Sequence, residues 1–185
     1  QGREIGRKRR AERPEIPAVV GVFADMAADE VNQIVQEVGI DRVQLSGSEP
    51  PEYRSLIKSP VIKAVKLTSG LSEDEIMEII VSAEEYLDPV MDVCLVEPHV
   101  EGAFGGTGVK VDPEYLSTIR GFTFLLAGGL NPDNVGSVVR EAAPWGVDVS
   151  SGVETDGEKG RITIARFVYQ AKRVGGWSLQ IWHKP

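Results

Sequence analysis

Residues 124–154 read FLLAGGLNPDNVGSVVREAAPWGVDVSSGVE, and this stretch decides the fold. The apolar run Phe124–Ala127 predicts a buried strand. Asn131 followed by Pro132 predicts the start of a helix, because Asn caps helices and Pro suits their first position. A second segment, Val147–Val149, with a valine on each side of Asp148, predicts another buried strand. The stretch therefore predicts a strand–helix–strand unit, which is typical of a parallel sheet.

Both predicted strands end in small residues. Gly128 and Gly129 follow the first strand, and Ser150, Ser151 and Gly152 follow the second. Ligands of parallel α/β proteins bind at the carboxyl ends of the strands. Backbone N–H groups and hydroxyls in two neighbouring turns suit a phosphate group. We therefore predict a phosphate site at these five residues; tight packing of strand against helix is the alternative.

The rest of the chain repeats the alternation of strand and helix. Further strands are predicted over Ala18–Phe23, Arg42–Leu45, Val61–Leu67 and Val90–Val96. Further helices are predicted over Gly2–Arg13, Ala28–Val38, Glu52–Lys58, Pro113–Arg120 and Arg161–Arg173, with one more that begins at Ser72, where Glu75 completes a capping box. Six strands, each followed by a helix, favour either an open doubly wound sheet or a (β/α)₈ barrel.

Composition limits the class of protein. A chain of 185 residues is enough for one core and too short for two ordinary domains. The net charge of −8 argues against general binding of nucleic acid, and no run is long enough to predict a membrane span. One cysteine, Cys94, excludes an internal disulfide and is typical of the cytoplasm, which is the predicted location.

The first residue is Gln, and the helix predicted at the start has no cap and no strand before it. We therefore expect that N-terminal sequence is missing. The domain prediction is a single, incomplete barrel over residues 1–173 with a C-terminal extension over residues 174–185.

Six pieces of the chain resemble the phosphoribosylanthranilate isomerase family, in the order and at the spacing of that family. They are VGVF at Val20–Phe23, VQLSG at Val43–Gly47, IKAV at Ile62–Val65, HVEGAFGGTG at His99–Gly108, LAGGLNPDNV at Leu126–Val135 and GVDVSSGVE at Gly146–Glu154. The resemblance implies a (β/α)₈ TIM barrel in which the six predicted strands are strands three to eight. It also implies the family's reaction in tryptophan biosynthesis, the Amadori rearrangement of N-(5-phosphoribosyl)anthranilate to the carboxyphenylamino-deoxyribulose phosphate.

The resemblance further implies the catalytic groups. A general acid at the end of strand six protonates the furanose ring oxygen, and this position falls on Glu97, where the family has Asp. A general base, a Cys at the end of strand one, then removes the proton from C2, and it has no counterpart in the predicted strands. Cys94 lies inside a strand three residues before Glu97, so we interpret it as a small buried hydrophobe. The chain as printed is therefore expected to have little activity.

The remaining site residues follow from the same resemblance and from the phosphate pattern. Substrate or phosphate binding is predicted for Gln44, Gly106, Gly108, Gly128, Gly129, Asp148, Ser150, Ser151 and Gly152. Ser46 stands where the family usually has His. The expected partner is a phosphorylated sugar, with no cofactor, metal, nucleic acid or membrane, and a homodimer is a possible assembly.

Three functions stay open on the sequence. The first is the isomerase of phosphoribosylanthranilate. The second is a phosphosugar-binding relative without catalysis, which the changes at Glu97 and Ser46 favour. The third is a different phosphosugar enzyme, because the same phosphate site recurs on barrels with other activities.

Overall fold

The computed structural model describes residues 17–68, 70–99 and 117–175. The predicted helix at Gly2–Arg13 and the first half of the one at Pro113–Arg120 lie outside the described residues. In chain order the elements are β1 (Val20–Phe23), α1 (Ala28–Val38), β2 (Arg42–Leu45), a 3₁₀ helix (Pro51–Leu56), β3 (Val61–Thr68), α2 (Glu73–Glu85), β4 (Val93–His99), β5 (Phe124–Leu126), α3 (Val135–Ala142), β6 (Gly146–Val147), a second 3₁₀ helix (Ser151–Val153), β7 (Glu154–Thr155), β8 (Glu158–Lys159) and α4 (Arg161–Gly175).

Strands β1 to β6 pair as neighbours in chain order, and the pairs β1–β2, β2–β3, β4–β5 and β5–β6 are parallel. A doubly wound sheet reverses its strand order at a switch point, whereas a (β/α)₈ barrel adds each strand beside the previous one. The observed order therefore decides between the two predicted architectures, and the fold is a (β/α)₈ barrel with six of its eight strand–helix units. Strands β7 and β8 form a separate antiparallel hairpin.

The contacts divide the chain into two compact units. Among the described residues, the first unit comprises 17–64 and 82–93, and the second comprises 65–68, 70–81, 94–99 and 117–175. The single domain predicted over residues 1–173 stays a prediction. None of the helices in the described ranges has the length and hydropathy that a bilayer crossing requires.

The core of the first unit forms where α1 packs on the strands. Val31 and Val35 of α1 belong to one buried cluster with Val43 of β2 and Val61 of β3. The helix ends as predicted, because Gly39 adopts a left-handed φ of 81° and its N–H donates to the carbonyl of Val35.

The apolar spacing of Val31, Ile34, Val35 and Val38 predicts one buried stripe along α1. For Val38 this prediction is wrong, because its side chain is 66% exposed. It is the last residue of the helix, and the chain turns away directly after it. Ile40, which follows that turn, is 6% exposed and takes a place in the core instead.

Strand β4 begins three residues later than predicted. The carboxylate of Asp88 accepts hydrogen bonds from the N–H groups of Val90 and Met91, at 2.8 and 2.9 Å. These amides are therefore satisfied by a side chain in a turn, which competes with pairing in the sheet. Val90 is 75% exposed as a result.

Two apolar patterns near the C-terminus overestimated burial. The strand predicted at Val147–Val149 pairs only through Gly146–Val147, and Asp148 is exposed. In α4 the predicted apolar set was Ile162, Ala165, Phe167 and Val168, but of these only Phe167 is buried. The buried face of α4 is instead Phe167 with Ala171, one turn later.

Asp92, which precedes β4, anchors three segments of the first unit. Its carboxylate is 1% exposed and accepts from Nε and Nη2 of Arg54, which lies in the first 3₁₀ helix. It also accepts from the N–H groups of Val61, at 2.7 Å, and Asp88, at 2.9 Å. Removing this carboxylate would leave a guanidinium and two amides without their partner.

We expect Asp92→Ala to lower the free energy of unfolding by about 3–5 kcal/mol, because it strands the positive charge of Arg54. The control is Asp133→Ala, which removes the partner of Arg166 in an exposed pair and should cost less than about 1 kcal/mol. Urea denaturation of both variants measures the difference. Equal losses would contradict the anchoring role of Asp92.

Candidate functional site

The first predicted turn leaves the end of β5 through two glycines. Gly128 has a φ of 86° and Gly129 a φ of 59°. Side chains disfavour both conformations, so the turn requires glycine at each position. The carbonyl of Gly129 accepts a hydrogen bond from Nδ2 of Asn134 at 2.9 Å, which fixes the turn to the segment that follows.

The predicted helix start at Asn131 and Pro132 was wrong: α3 begins at Val135, and its N-cap is Asn134, whose side chain makes no capping hydrogen bond. Asn131 instead stabilises the turn before the helix. The Oδ1 atom of Asn131 accepts from the N–H groups of Asp133, at 2.9 Å, and Asn134, at 3.1 Å. Oδ1 of Asn134 in turn accepts from the N–H of Asn131 at 2.8 Å. The loop from β5 into α3 is therefore held by its own side chains.

The second predicted turn packs directly against the first loop. A Cβ atom built on Gly152 would lie 1.7 Å from the carbonyl oxygen of Leu130 and 2.8 Å from its carbonyl carbon. The two backbones are in contact, so no residue other than glycine fits at position 152. The structure thus brings the Ser150–Gly152 turn beside the loop that follows Gly129.

Lys159 adds a positive charge to the second turn. Its Nζ atom donates to the carbonyl oxygen of Ser150 at 2.8 Å and to Oε1 of Glu154 at 2.7 Å. The sequence reasoning missed this lysine because it missed the β7–β8 hairpin. The adjacent Asp156 and Gly157, with φ of 55° and 81°, form the Asp-Gly turn that signals a two-residue hairpin.

Asp148 lies between β6 and the Ser150 turn and is exposed to solvent. Protein atoms around its carboxyl raise its pKa by burial, while the backbone N–H of Val149 and the charge of Lys159 act in the opposite direction. An acid at this point increases the need for the positive charge of Lys159 if an anion binds nearby.

Glu97 lies near the C-terminal end of β4, and its side chain is half-buried. The preceding residue, Val96, pairs with Leu126, and its carbonyl accepts from the N–H of Ala127 at 2.9 Å. Glu97 therefore stands beside the start of the Gly128 turn, at the same end of the neighbouring strand. Cys94 is 2% exposed, which confirms the prediction that it is a buried hydrophobe.

The other predicted site residues do not belong to the described part of the second unit. Gln44 belongs to β2 in the first unit, is half-buried and donates from Nε2 to Oγ of Ser46 at 3.1 Å. Gly106 and Gly108 lie outside the described residues. The second unit thus holds the acid candidate together with both small-residue turns.

Gly152→Ala should lower the free energy of unfolding by about 3 kcal/mol, since the methyl group would overlap a backbone carbonyl. Gly136→Ala is the matched control: its Cβ would lie 3.6 Å from Cγ2 of Val174, an ordinary contact, within α3. We expect that change to be neutral or to stabilise by about 0.5–1 kcal/mol. Thermal and urea unfolding would measure both, and a tolerated Gly152→Ala would refute the close packing of the two turns.

Comparison with known proteins gives a consistent family. The family model described as N-(5'phosphoribosyl)anthranilate (PRA) isomerase matches residues 5–170. The chain is 38% identical over 161 residues to the N-(5'-phosphoribosyl)anthranilate isomerase of Dehalococcoides mccartyi, covering 86% of this chain and 73% of that protein. It is similar to the solved phosphoribosyl anthranilate isomerase of Thermotoga maritima, with a TM-score of 0.72 and 31% identity over 92% of this chain and 80% of that one.

A further similar structure carries a ligand. It is a phosphoribosyl anthranilate isomerase in complex with reduced 1-(o-carboxyphenylamino)-1-deoxyribulose 5-phosphate. Its TM-score is 0.64 and its identity 29%, over 92% of this chain and 79% of that one.

Proposed function

The chain belongs to the N-(5'-phosphoribosyl)anthranilate isomerase family, and from this premise we propose how its residues bind the substrate and move its protons. The chain is an isomerase of tryptophan biosynthesis. The reaction converts an aminoaldose phosphate to an aminoketose phosphate, so it requires a phosphate site, a general acid and a general base.

The phosphate of the substrate binds between the Gly128-Gly129 turn and the Ser150–Gly152 turn. The observation that carries this proposal is the backbone contact of Gly152 with Leu130, which brings the two turns together. Small residues leave backbone N–H groups and hydroxyls accessible to an anion. Lys159 places a positive charge beside Ser150, which it shares with the carboxylate of Glu154.

Glu97 is the general acid. In its protonated form it donates its proton to the furanose ring oxygen, the C1–O bond breaks, and the electron pair on the anthranilate nitrogen forms a Schiff base with C1. A base then removes the proton from C2, which gives an enamine that tautomerises to the ketose. Cys94 is not that base, because its side chain is buried inside β4.

Gly129→Asp tests the phosphate site. In the parent, inorganic phosphate should raise the melting temperature by mass action, and a side chain with negative charge at position 129 should abolish the rise. Gly39→Asp is the control, since Gly39 has a similar left-handed φ, open space around it and a place in the first unit. Thermal shifts are measured against chloride at equal ionic strength. An unchanged shift in Gly129→Asp would refute the site.

Glu97→Gln tests the acid. The loss of one acid–base group should lower kcat by about 10²–10⁴, while phosphate still raises the melting temperature. Consumption of phosphoribosylanthranilate, followed by its fluorescence, measures the rate, and Glu97→Asp tests the additional methylene. Turnover at the parent's rate in Glu97→Gln would show that Glu97 is not the acid. Phosphate binding without turnover in the parent would favour the non-catalytic alternative.

A further inference from the structure

The segments that follow β1 and β2 interlock within the first unit. A Cβ atom on Gly47 would lie 2.6 Å from both the backbone nitrogen and Oδ1 of Asp25, so a side chain at position 47 does not fit. Oδ1 of Asp25 accepts from the N–H of Ser48 at 2.7 Å. Asp25 itself has a φ of 52°, a conformation that side chains rarely adopt. Each of the two segments therefore restricts the backbone conformation of the other.

A buried carboxylate ties the interlock together. The side chain of Glu49 is 2% exposed, and its Oε1 atom accepts from the N–H groups of Asp25, at 3.0 Å, and Gly47, at 3.2 Å. Nζ of Lys63, on β3, donates to Oε2 of Glu49 at 2.7 Å and to the carbonyl of Gly47 at 3.0 Å. We call Asp25, Gly47, Glu49 and Lys63 the rim clamp.

Burying the charge of Glu49 costs desolvation free energy, so stability alone is a weak explanation for the rim clamp. Burial tends to raise the pKa of Glu49, but the hydrogen bonds from Lys63 and from Asp25 outweigh it, and the net direction is downward. Glu49 is therefore charged near neutral pH. A buried ion pair usually gives no more stability than apolar residues of the same size, but it fixes geometry strictly.

The geometry it fixes is the end of β2. Ser46 lies directly before Gly47, and its N–H donates to the carbonyl of Phe23 at 2.8 Å. Oγ of Ser46 accepts from Nε2 of Gln44, one of the predicted substrate residues. Any shift of Gly47 is thus passed to Ser46 and Gln44 through the backbone and one hydrogen bond.

We propose that Glu49 and Lys63 are positioning residues for the isomerase reaction, which hold the end of β2 and with it the side chain of Gln44 in one geometry. Neither side chain serves the substrate directly, because the carboxylate of Glu49 is buried and the ammonium of Lys63 is bound to Glu49 and Gly47. The inference rests on the proposed function. It adds two residues to the machinery of the reaction.

Four variants test it: Lys63→Met, Glu49→Gln, Glu49→Ala and the double variant that combines Lys63→Met with Glu49→Gln. A cavity of about 290 Å³ beside the pair, lined in part by Leu45 and Tyr86, gives the unbranched apolar side chain that replaces Lys63 room to pack. The double variant leaves no uncompensated charge, so it remains folded even if a single variant does not. Glu49→Gln keeps an oxygen that can accept from Asp25 and Gly47, so it should lose less than Glu49→Ala.

The probes are the reduced product analogue of the similar structure and inorganic phosphate, both measured by calorimetry. Lys63→Met and the double variant should bind the analogue about tenfold more weakly, the value of roughly one oriented hydrogen bond. Phosphate affinity should stay within about twofold, because the proposed phosphate residues belong to the second unit. Hydrogen exchange at the amides of Asp25 and Gly47 should become faster. Arg166→Met, in an exposed ion pair, is the control and should change none of these.

The outcomes separate the two proposals. Equal loss of analogue and phosphate binding in the double variant would indicate a general structural defect and overturn the positioning role. Unchanged analogue affinity with faster amide exchange would show that the clamp stabilises the segment without orienting Gln44, and would also overturn it. A parent that binds phosphate but not the analogue would refute the proposed substrate, and the positioning role with it.

Discussion

The second unit depends on one close approach, that of the Gly152 backbone to the carbonyl of Leu130. Parallel pairing of Leu126 with Val147 sets β5 and β6 side by side, so the segments that leave them meet at the same end. Bulky residues there would force the turns apart. The run of glycines and serines after both strands therefore meets a packing requirement first, and that requirement leaves backbone donors within reach of an anion.

The positions of individual charged side chains matter more in this molecule than its net charge. The chain carries a net charge of −8, yet the functional proposals rest on single cations held in place by named acceptors. Lys159 is fixed by Ser150 and Glu154 in the second unit. In the first unit, Arg54 and Lys63 neutralise the buried carboxylates of Asp92 and Glu49. These acids bind amides of neighbouring segments, so they act as structural acceptors.

Sequence patterns predicted the elements whose causes are local. The helix Ala28–Val38 and the strand Arg42–Leu45 have the predicted bounds, because apolar spacing and the Gly39 cap lie within the segments themselves. The start of β4 depends on the side chain of Asp88 in the preceding turn, and the sequence pattern did not predict it. The contact of Gly152 with Leu130 joins residues 22 positions apart, and no periodicity encodes it. The spacing of the strands and helices alone was compatible with two architectures, a doubly wound sheet and a barrel. The family resemblance predicted the barrel.

The family resemblance implies Asp where this chain has Glu97, so in the proposed mechanism the side chain must accommodate the difference. The backbone next to it is fixed, since Val96 pairs with Leu126 and accepts from Ala127. The additional methylene moves the carboxyl outward and adds one rotatable bond. In the proposed mechanism the carboxyl of Glu97 must reach one ring oxygen. Glu has more rotamers than Asp, so holding the side chain in the one productive rotamer costs more conformational entropy. Half-burial of Glu97 reduces the number of open rotamers. The residues that surround the side chain of Glu97 therefore help to decide whether its carboxyl reaches the position that an Asp carboxyl would occupy.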